Sequence, residues 1–131
     1  MATCAAVAGA DLPNDAAEDS FNLLPLLLGR RDDGPVRPFT LHQTMSLALA
    51  IRKGKWKYLD HKGSGGNNYS GADLKPYALP EADPDAPGQL YDLETDPGET
   101  TNLYHKHPEI VAELKALLEQ AKTSGRSAPT R

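Results

Sequence analysis

The chain has 131 residues, enough for one small domain with a single hydrophobic core. Hydrophobic residues make up 39% of it and recur in clusters along most of its length, which argues against a disordered tail. The formal net charge of −4, without a dense run of Lys or Arg, argues against nucleic acid or an anionic membrane as a partner. No apolar run approaches the roughly eighteen residues of a membrane span, so the sequence predicts a soluble chain.

The single cysteine, Cys4, excludes an intramolecular disulfide and a multi-cysteine metal site. It lies among alanines, with no basic neighbour to activate the thiol. We therefore expect a buried packing residue rather than a nucleophile. The first ten residues have neither the basic start nor the bulky apolar centre of a signal peptide, and we expect no export signal there.

Two short helices are predicted near the start of the chain. Ala2–Gly9 is rich in helix-forming alanine and ends at a glycine, a common helix stop. After an acidic loop, Asn22 can cap a second helix that tolerates Pro25 in its first turn and ends at Gly29. The leucines of this second segment need an apolar wall that the chain offers in few places. We therefore expect both helices to be remnants of a larger α/β domain.

From residue 39 the pattern changes to that of strands. Residues 39–43 alternate in apolar character, and so do residues 47–52. Lys53–Gly54 predicts a tight turn in which glycine supplies the positive φ. Trp56 and Tyr58 then alternate with lysines, which predicts a hairpin with one buried face and one basic face.

Residues 63–88 form a long segment, rich first in glycine and then in proline and acidic residues, of a kind that is usually functional or disordered. Residues 89–93 (QLYDL) predict another strand, and His107–Pro108–Glu109 opens a helix that Gly125 ends. The apolar stripe of this helix consists of Ile110, Val111, Leu114, Leu117, Leu118 and Ala121. The predicted fold class is α+β: a small antiparallel sheet of about four strands packed against a C-terminal amphipathic helix, preceded by the helical remnants.

Histidines are the first candidates for chemistry. His42 lies on a predicted strand and could point into a cleft as a hydrogen-bond donor, although a structural histidine at a strand end is the more common case. His105 and His107 could form a metal pair, but capping and surface exposure are the more common roles at a helix start.

Three other features have a functional and a structural interpretation. The carboxylates of residues 92, 94 and 96 could hold a hard cation, but a solvated face running into a turn is favoured. Gly63–Gly66 could bind an anion with backbone N–H groups, although a flexible loop is the default. Arg52 and the lysines of residues 53–57 could guide an anionic substrate, whereas such a cluster is usually a solvated strand face.

Three stretches, in this order, resemble the C-terminal region of arylsulfatase-type sulfatases. Residues 20–29 (SFNLLPLLLG) resemble the family's Ser-Leu-Leu-Pro-Leu-Leu-x-Gly segment, and residues 47–59 (LALAIRKGKWKYL) resemble its Ala-Val-Arg-x-Gly-x-Trp-Lys-Leu hairpin. Residues 89–103 (QLYDLETDPGETTNL) are similar to Glu-Leu-Tyr-Asp-Leu-x-x-Asp-Pro-x-Glu-x-x-Asn-Leu. A helix opened by His-Pro-Glu follows, as in the family, so the resemblance covers nearly the whole chain.

The resemblance implies a large catalytic α/β body, similar to alkaline phosphatase, followed by a four-stranded antiparallel sheet with a C-terminal helix. It implies that the full-length parent hydrolyses sulfate esters with a calcium ion and a formylglycine derived from Cys/Ser-x-Pro-x-Arg. Cys4 is followed by Ala5–Ala6–Val7–Ala8, so it is not that nucleophile. We expect this chain to lack the formylglycine motif and the calcium ligands, and to carry no cofactor or catalytic residue of its own.

The resemblance divides the chain into three parts. Residues 1–36 are the tail end of the catalytic α/β domain and a connector, residues 37–125 are the sulfatase C-terminal subdomain, and residues 126–131 are a frayed tail. The family's C-terminal region also lines the non-sulfate end of the substrate. His42 occupies a place where some relatives carry adjacent histidines, and here its neighbour is Gln43. The predicted substrate-binding residues are His42, Gln43 and Arg52, with no metal ligand.

The resulting functional hypothesis is the C-terminal part of a sulfatase, inactive alone, that helps to shape the substrate pocket. Its expected partners are the catalytic N-terminal sulfatase domain and a sulfated small molecule or glycan. Two alternatives stay open: a free-standing module that binds anionic glycans, and a non-functional gene remnant that aggregates because its leucines lose their wall. The full-length parent is expected to be periplasmic or secreted.

Overall fold

The fold is centred on a four-stranded antiparallel sheet in a computed structural model that describes residues 1–30, 34–65, 69–80 and 83–130. The strands lie side by side in chain order and are β1 (Thr40–Gln43), β2 (Leu49–Lys53), β3 (Trp56–Leu59) and β4 (Gln89–Asp92). A C-terminal helix packs on the sheet, which confirms the α+β fold class. Among the described residues, no helix is both long and apolar enough to cross a membrane.

The register of the strands assigns each side chain to one of two faces. Directly paired residues on antiparallel strands point to the same face, and successive residues alternate between faces. One row across all four strands faces the helix: Ile51, Tyr58 and Leu90 are almost fully buried, and Leu41 on the edge strand is partly buried against them. The neighbouring row faces the other way: His42, Ala50, Leu59 and Gln89.

Helix α1 comprises Ala2–Ala8, α2 comprises Leu24–Leu27, and the long C-terminal helix α3 comprises Pro108–Ser124. The start of α3 is as predicted, with His107 at the N-cap, proline in the first turn and Glu109 near the positive end of the helix dipole. Its buried residues confirm the predicted stripe: Val111, Leu114, Leu118 and Ala121. The ring of His107 packs on Trp56 with centroids 5.1 Å apart.

The hairpin between β2 and β3 turns at Gly54, whose φ of +57° confirms the predicted role of glycine there. The alternation starting at Leu47, however, begins before the strand does. Leu47 has a φ of +64° and lies in the turn that joins β1 to β2, where the amide of Thr44 donates to the carbonyl of Ala48. Alternating apolar residues do not mark the point at which pairing begins, so the predicted strand started two residues too early.

The segment after β4 is held by two polar side chains of the family-like stretch. Asp96 accepts hydrogen bonds from the amides of Thr100 and Thr101, both at 2.8 Å. Buried Asn102 accepts from the amides of Leu90 and Tyr104, and its own amide group donates to the carbonyl of Gly88. Asn102 therefore satisfies the free edge of β4 at Leu90, Asp96 satisfies the backbone of the turn that follows, and both side chains have a structural role.

The N-terminal helices are attached to each other but leave apolar surface exposed. The amide of Leu23 donates to the Thr3 hydroxyl, and the Asn22 side chain accepts from the amide of Leu24. The N-cap of α2 is Leu23, so Asn22 lies one residue before the position predicted for it. Leu27 is nevertheless 71% exposed, and its neighbours Leu26 and Leu28 are also exposed. Cys4 is exposed as well, so the prediction of a buried thiol is wrong. Within α1, Ala2 is the buried residue.

Residues 126–130, for which we expected a frayed end, form hydrogen bonds with the acidic loop near the N-terminus. The amide of Ala128 donates to the carbonyl of Glu18, and the Arg126 guanidinium donates to the carbonyl of Asn14. The amide and hydroxyl of Ser127 both donate to the carboxylate of Asp19 at 2.8 Å. Because these contacts join residues more than a hundred positions apart, they tie the two ends of the chain together.

Candidate functional site

The sheet face that points away from α3 carries an open cavity of about 780 Å³, called the sheet cavity below. Its floor is the outward-facing row of the sheet, with one residue from each strand: His42, Ala50, Leu59 and Gln89. Lys57 and Tyr91, which are paired with each other in the next row, extend this floor. Small or flat side chains at the centre leave room above the sheet, while polar groups stand at both edges.

The walls of the sheet cavity come from loops. One wall is the segment after β3, with residues 61, 63–64, 69–70 and 77–80 lining the space; it contains a short 3₁₀ turn at Lys75–Tyr77. The opposite wall is the turn of residues 97–99 that follows β4. Tyr69 and Tyr77 give the loop wall two phenol rings, and Tyr77 is 72% exposed at the opening. The long glycine- and proline-rich segment is therefore part of the candidate site.

The structure brings together two of the three predicted substrate-binding residues. His42 and Gln43 both line the sheet cavity and are exposed. Arg52 does not line it: this side chain lies toward the hairpin turn, and its Nε donates to the carbonyl of Gly54 at 3.1 Å. Arg52 belongs to the same face of the sheet as Lys57, but it stands one strand further from the cavity-lining Tyr91.

Lys57 is the lysine of the predicted basic cluster that reaches the sheet cavity, and it is already paired there. Its ammonium donates to the Glu99 carboxylate at 2.6 Å, and both side chains are largely buried. Glu99 has a φ of +54°, an uncommon conformation for a residue other than glycine. Lys53 instead bonds Glu113 of α3 and Lys55 bonds Asp92. The basic cluster is therefore divided among carboxylates and does not form a continuous cationic guide.

The carboxylates of residues 92, 94 and 96 do not form a shared solvated face. Asp92 is only 7% exposed, and a hydrogen bond from Lys55 at 2.7 Å lowers the pKa of its carboxyl below the ordinary value and raises the pKa of Lys55. Hydrogen bonds from the amides of Thr100 and Thr101 lower the pKa of Asp96. Within the described residues, no group of three or more His, Cys, Asp or Glu side chains could hold a metal ion.

The remaining candidates from the sequence, the two histidines near α3 and the glycine stretch, make contacts within the fold. His107 occupies the N-cap position of α3, but its ring packs on Trp56 and makes no capping hydrogen bond; His105 lies 3.7 Å from the carboxylate of Asp83. The glycine stretch is tethered at its start, because the carbonyl of Gly63 accepts from Gln89 and that of Gly65 accepts from Ser46. The last glycine of the predicted anion cradle, at position 66, lies outside the described residues.

Comparison with known proteins gives the same relationship as the motifs. No protein-family model matches the chain. An N-acetylgalactosamine-6-O-sulfatase of Bacteroides thetaiotaomicron is 39% identical over 123 residues, which are 94% of this chain and 22% of that protein. Arylsulfatase A of Homo sapiens is 34% identical over 124 residues, which are 89% of this chain and 24% of that protein. The chain is a homologue of the sulfatases.

Solved structures support the relationship at the level of the fold. A 6S-sulfatase structure, from work on glycosaminoglycan metabolism by Bacteroides thetaiotaomicron, has a TM-score of 0.70 and 38% identity over 93% of this chain and 24% of its own. A 2-O GAG sulfatase has a TM-score of 0.57 and 25% identity over 98% of this chain and 26% of its own. The chain thus spans about a quarter of the length of these sulfatases and corresponds to their C-terminal region.

One sequence match escaped the motif analysis. Residues 127–131 (SAPTR) fit the pattern Ser-x-Pro-x-Arg, although we expected the chain to lack it. Ser127 lies outside the sheet cavity, and its amide and hydroxyl both donate to Asp19; Arg131 lies outside the described residues. The hydrogen bonds of Ser127 are made with Asp19 near the N-terminus, and we assign the match no function.

Several cavity residues were missed by the sequence analysis. Tyr91 could have been placed on the outer face from strand alternation alone, since it is adjacent in sequence to Leu90 of the buried row and pairs with Lys57 of the predicted basic face. Glu99 and the loop residues could not, because nothing in their local sequence specifies the surface to which a long loop returns. Gln89 was quoted only as part of a motif, yet it is one of the few buried polar side chains.

Proposed function

We propose that the chain is the C-terminal part of a sulfatase that hydrolyses sulfate esters, and that it shapes the substrate pocket beside a separate catalytic portion. The observation that carries this proposal is the sheet cavity, whose volume of about 780 Å³ suits a small-ligand site. One relative is named an N-acetylgalactosamine-6-O-sulfatase and another a 2-O GAG sulfatase. A sulfated sugar is therefore the substrate class we propose.

The chemistry of ester cleavage belongs, in this proposal, to the catalytic portion. Calcium and formylglycine are implied for the full-length parent, but the described side chains of this chain do not fit a calcium site. His42 and Gln43 offer hydrogen-bonding groups at the cavity rim instead. The paired Lys57 and Glu99 present a donor and an acceptor with little net charge, which suits the hydroxyl and amide groups of a sugar better than its sulfate.

The catalytic portion would cover the apolar surface of the N-terminal helices. Leu26, Leu27 and Leu28 are between 48% and 71% exposed, and Val7 of α1 is 69% exposed. Full burial of one such side chain contributes roughly 1.5–3 kcal/mol. Three adjacent leucines therefore supply enough hydrophobic free energy to hold two parts of one protein together, and this supports assigning residues 1–36 to the edge of the catalytic domain.

A hybrid enzyme tests the proposal. We would replace the C-terminal region of the Bacteroides thetaiotaomicron N-acetylgalactosamine-6-O-sulfatase with this chain and measure release of sulfate from N-acetylgalactosamine 6-sulfate. We expect an active hybrid in which His42→Ala raises KM by about two- to tenfold, the loss of one hydrogen bond. His105→Ala is the matched control, because His105 is exposed and lies outside the cavity.

Three results would count against the proposal. A folded but inactive hybrid would remove the role in pocket formation, and equal KM values for the His42 and His105 variants would remove His42 from the site. Tight binding of the sulfated sugar to the isolated chain with calcium chelated would favour the free-standing glycan module. Aggregation of the isolated chain that no hybrid relieves would favour the gene remnant.

A further inference from the structure

Gln89 is a buried polar side chain on the floor of the sheet cavity, with 6% of its surface exposed. Its Nε2 donates two hydrogen bonds, to the carbonyl of His61 at 3.0 Å and to the carbonyl of Gly63 at 2.9 Å. Its Oε1 accepts a hydrogen bond from the hydroxyl of Tyr91 at 2.6 Å. Gln89 therefore joins β4 to the first residues of the loop that forms one wall of the cavity.

The contacts determine which end of the amide faces the loop. Two backbone carbonyls can only accept hydrogen bonds, so the NH₂ group of Gln89 must face His61 and Gly63. The reversed amide would place three oxygen atoms together in a buried position. A glutamine satisfies all three contacts with its two donors and one acceptor, and no other side chain of this length offers the same set.

We propose that Gln89 is a positioning residue that latches the loop wall of the sheet cavity through its amide group. The latch acts at the base of the loop, where other contacts also gather: Ser46 donates to the carbonyl of Gly65 at 2.6 Å, and Lys62 donates to the carbonyl of Pro84 at 2.7 Å. The latch concerns substrate binding only if the proposed function is correct.

Glutamate is the informative replacement, because the similar family segment begins with Glu at this position. An ionised carboxylate would face the two carbonyl oxygens of His61 and Gly63 and could donate to neither. Its pKa would therefore rise above the ordinary value of about 4.3. At low pH the neutral carboxyl of the Gln89→Glu variant has one O–H donor and would keep one of the two loop hydrogen bonds, which is lost as the pH rises through the raised pKa.

Other titratable groups face the same cavity and must be separated from this effect. They are His42 on β1, Lys57 on β3, His61, Tyr69 and Tyr77 on the loop, Tyr91 on β4 and Glu99 on the opposite turn. All of them are present in the unchanged chain, so its own titration records their contributions. The variant Gln43→Glu places a carboxylate at the rim of the same cavity, where it is exposed and meets no pair of carbonyls.

The test follows the loop in the chain without ligand. In the unchanged chain, we expect the side-chain NH₂ protons of Gln89 to exchange slowly and to show proximity to Gly63 by NMR. In Gln89→Glu, we expect the Gly63 amide signal to titrate with a midpoint above pH 5. We also expect trypsin to cleave after Lys62 at least about tenfold faster at pH 8, since two hydrogen bonds are lost. Gln43→Glu should cleave at the unchanged rate and titrate near the ordinary value.

Gln89→Met removes the amide without adding charge and should accelerate cleavage without the new titration. Equal cleavage rates for Gln89→Glu and the unchanged chain would overturn the latch, and so would a Gly63 titration that Gln43→Glu reproduces. If neither Gln89 variant folds, fast exchange of the Gln89 amide protons in the unchanged chain would overturn it by itself. The NMR and cleavage results could support the latch while the hybrid enzyme fails to release sulfate from the sulfated sugar. That combination would retain this inference and reject the proposed function.

Discussion

Asn102 offers the sharpest test of how the sheet is held at its free edge. The side chain is 8% exposed and makes three hydrogen bonds: it accepts from the amides of Leu90 and Tyr104, both at 3.0 Å, and donates to the carbonyl of Gly88 at 3.2 Å. Asn102→Ala leaves two backbone donors and one acceptor without these partners. Each buried group left unsatisfied costs about 1–3 kcal/mol, and water entering the new space offsets part of the loss.

We therefore expect Asn102→Ala to lower the free energy of unfolding by about 2–4 kcal/mol. With a urea dependence of about 2 kcal/mol per molar for a domain of this size, the unfolding midpoint falls by about 1–2 M. Urea titration followed by far-ultraviolet circular dichroism measures this shift. Asn102→Asp keeps the acceptor for both amides but loses the donor to Gly88, so its midpoint should lie between the other two.

Asn22→Ala is the matched control, because Asn22 makes one exposed hydrogen bond to the amide of Leu24. The net contribution of a single hydrogen bond of this kind is about 0.5–1.5 kcal/mol. If Asn102→Ala lowers the urea midpoint no further than Asn22→Ala does, the three hydrogen bonds of Asn102 do not stabilise β4. The physical reading of the motif as a scaffold would then be refuted.

Two further predictions concern the core and the acid limb of stability. Leu118 is fully buried, so Leu118→Ala should lower the free energy of unfolding by about 2–5 kcal/mol. Leu27 is 71% exposed, so Leu27→Ala should leave the urea unfolding of the isolated chain nearly unchanged. Burial opposes ionisation of Asp60, but hydrogen bonds from Tyr58 and Lys122 prevail and lower its pKa. Its stabilising contribution is present above the ordinary pKa of about 3.9 and is lost as the pH falls below it, so Asp60→Asn should flatten the fall in thermal stability between about pH 5 and pH 2.

The parts of the fold that local sequence specifies were predictable. The apolar stripe of α3 repeats at helical spacing. The helix ends at Gly125, whose φ of +67° is readily adopted by glycine because it has no side chain. The hairpin turn at Gly54 follows the same logic. These features depend on neighbours a few residues away, so composition and period determine them. The buried position of Asp92 was not predictable in this way, because it depends on Lys55, 37 residues away in the sequence.

The candidate site was only half predictable for a related reason. Alternation along β1 separates His42 from Gln43, because successive residues of a strand point to opposite faces, and yet both line the sheet cavity. Arg52 lies on the outer face as alternation requires, but its Nε donates to the carbonyl of Gly54 at the hairpin turn and the residue does not line the cavity. Glu99 reaches the cavity only because the turn after β4 takes an uncommon backbone conformation. Alternation of apolar and polar residues along a strand shows which face of the sheet a side chain occupies, but it does not show where on that face the side chain ends.

The residues that reveal the relationship to sulfatases are therefore not the residues that would distinguish one substrate from another. The stretch 89–103 carries the resemblance, and in it Asn102 satisfies the amide of Leu90 on the edge strand while Asp96 satisfies amides of the turn that follows. Such residues report the fold, and they can be shared by enzymes with different substrates. The loop wall of the sheet cavity belongs to a long connecting segment, a class of structure that tolerates changes of sequence, so it can vary while the sheet persists. If Gln89 latches that wall as we propose, the first position of the shared motif is where the scaffold meets the variable loop. Exchange of Gln for Glu there would then alter the pocket without altering the fold.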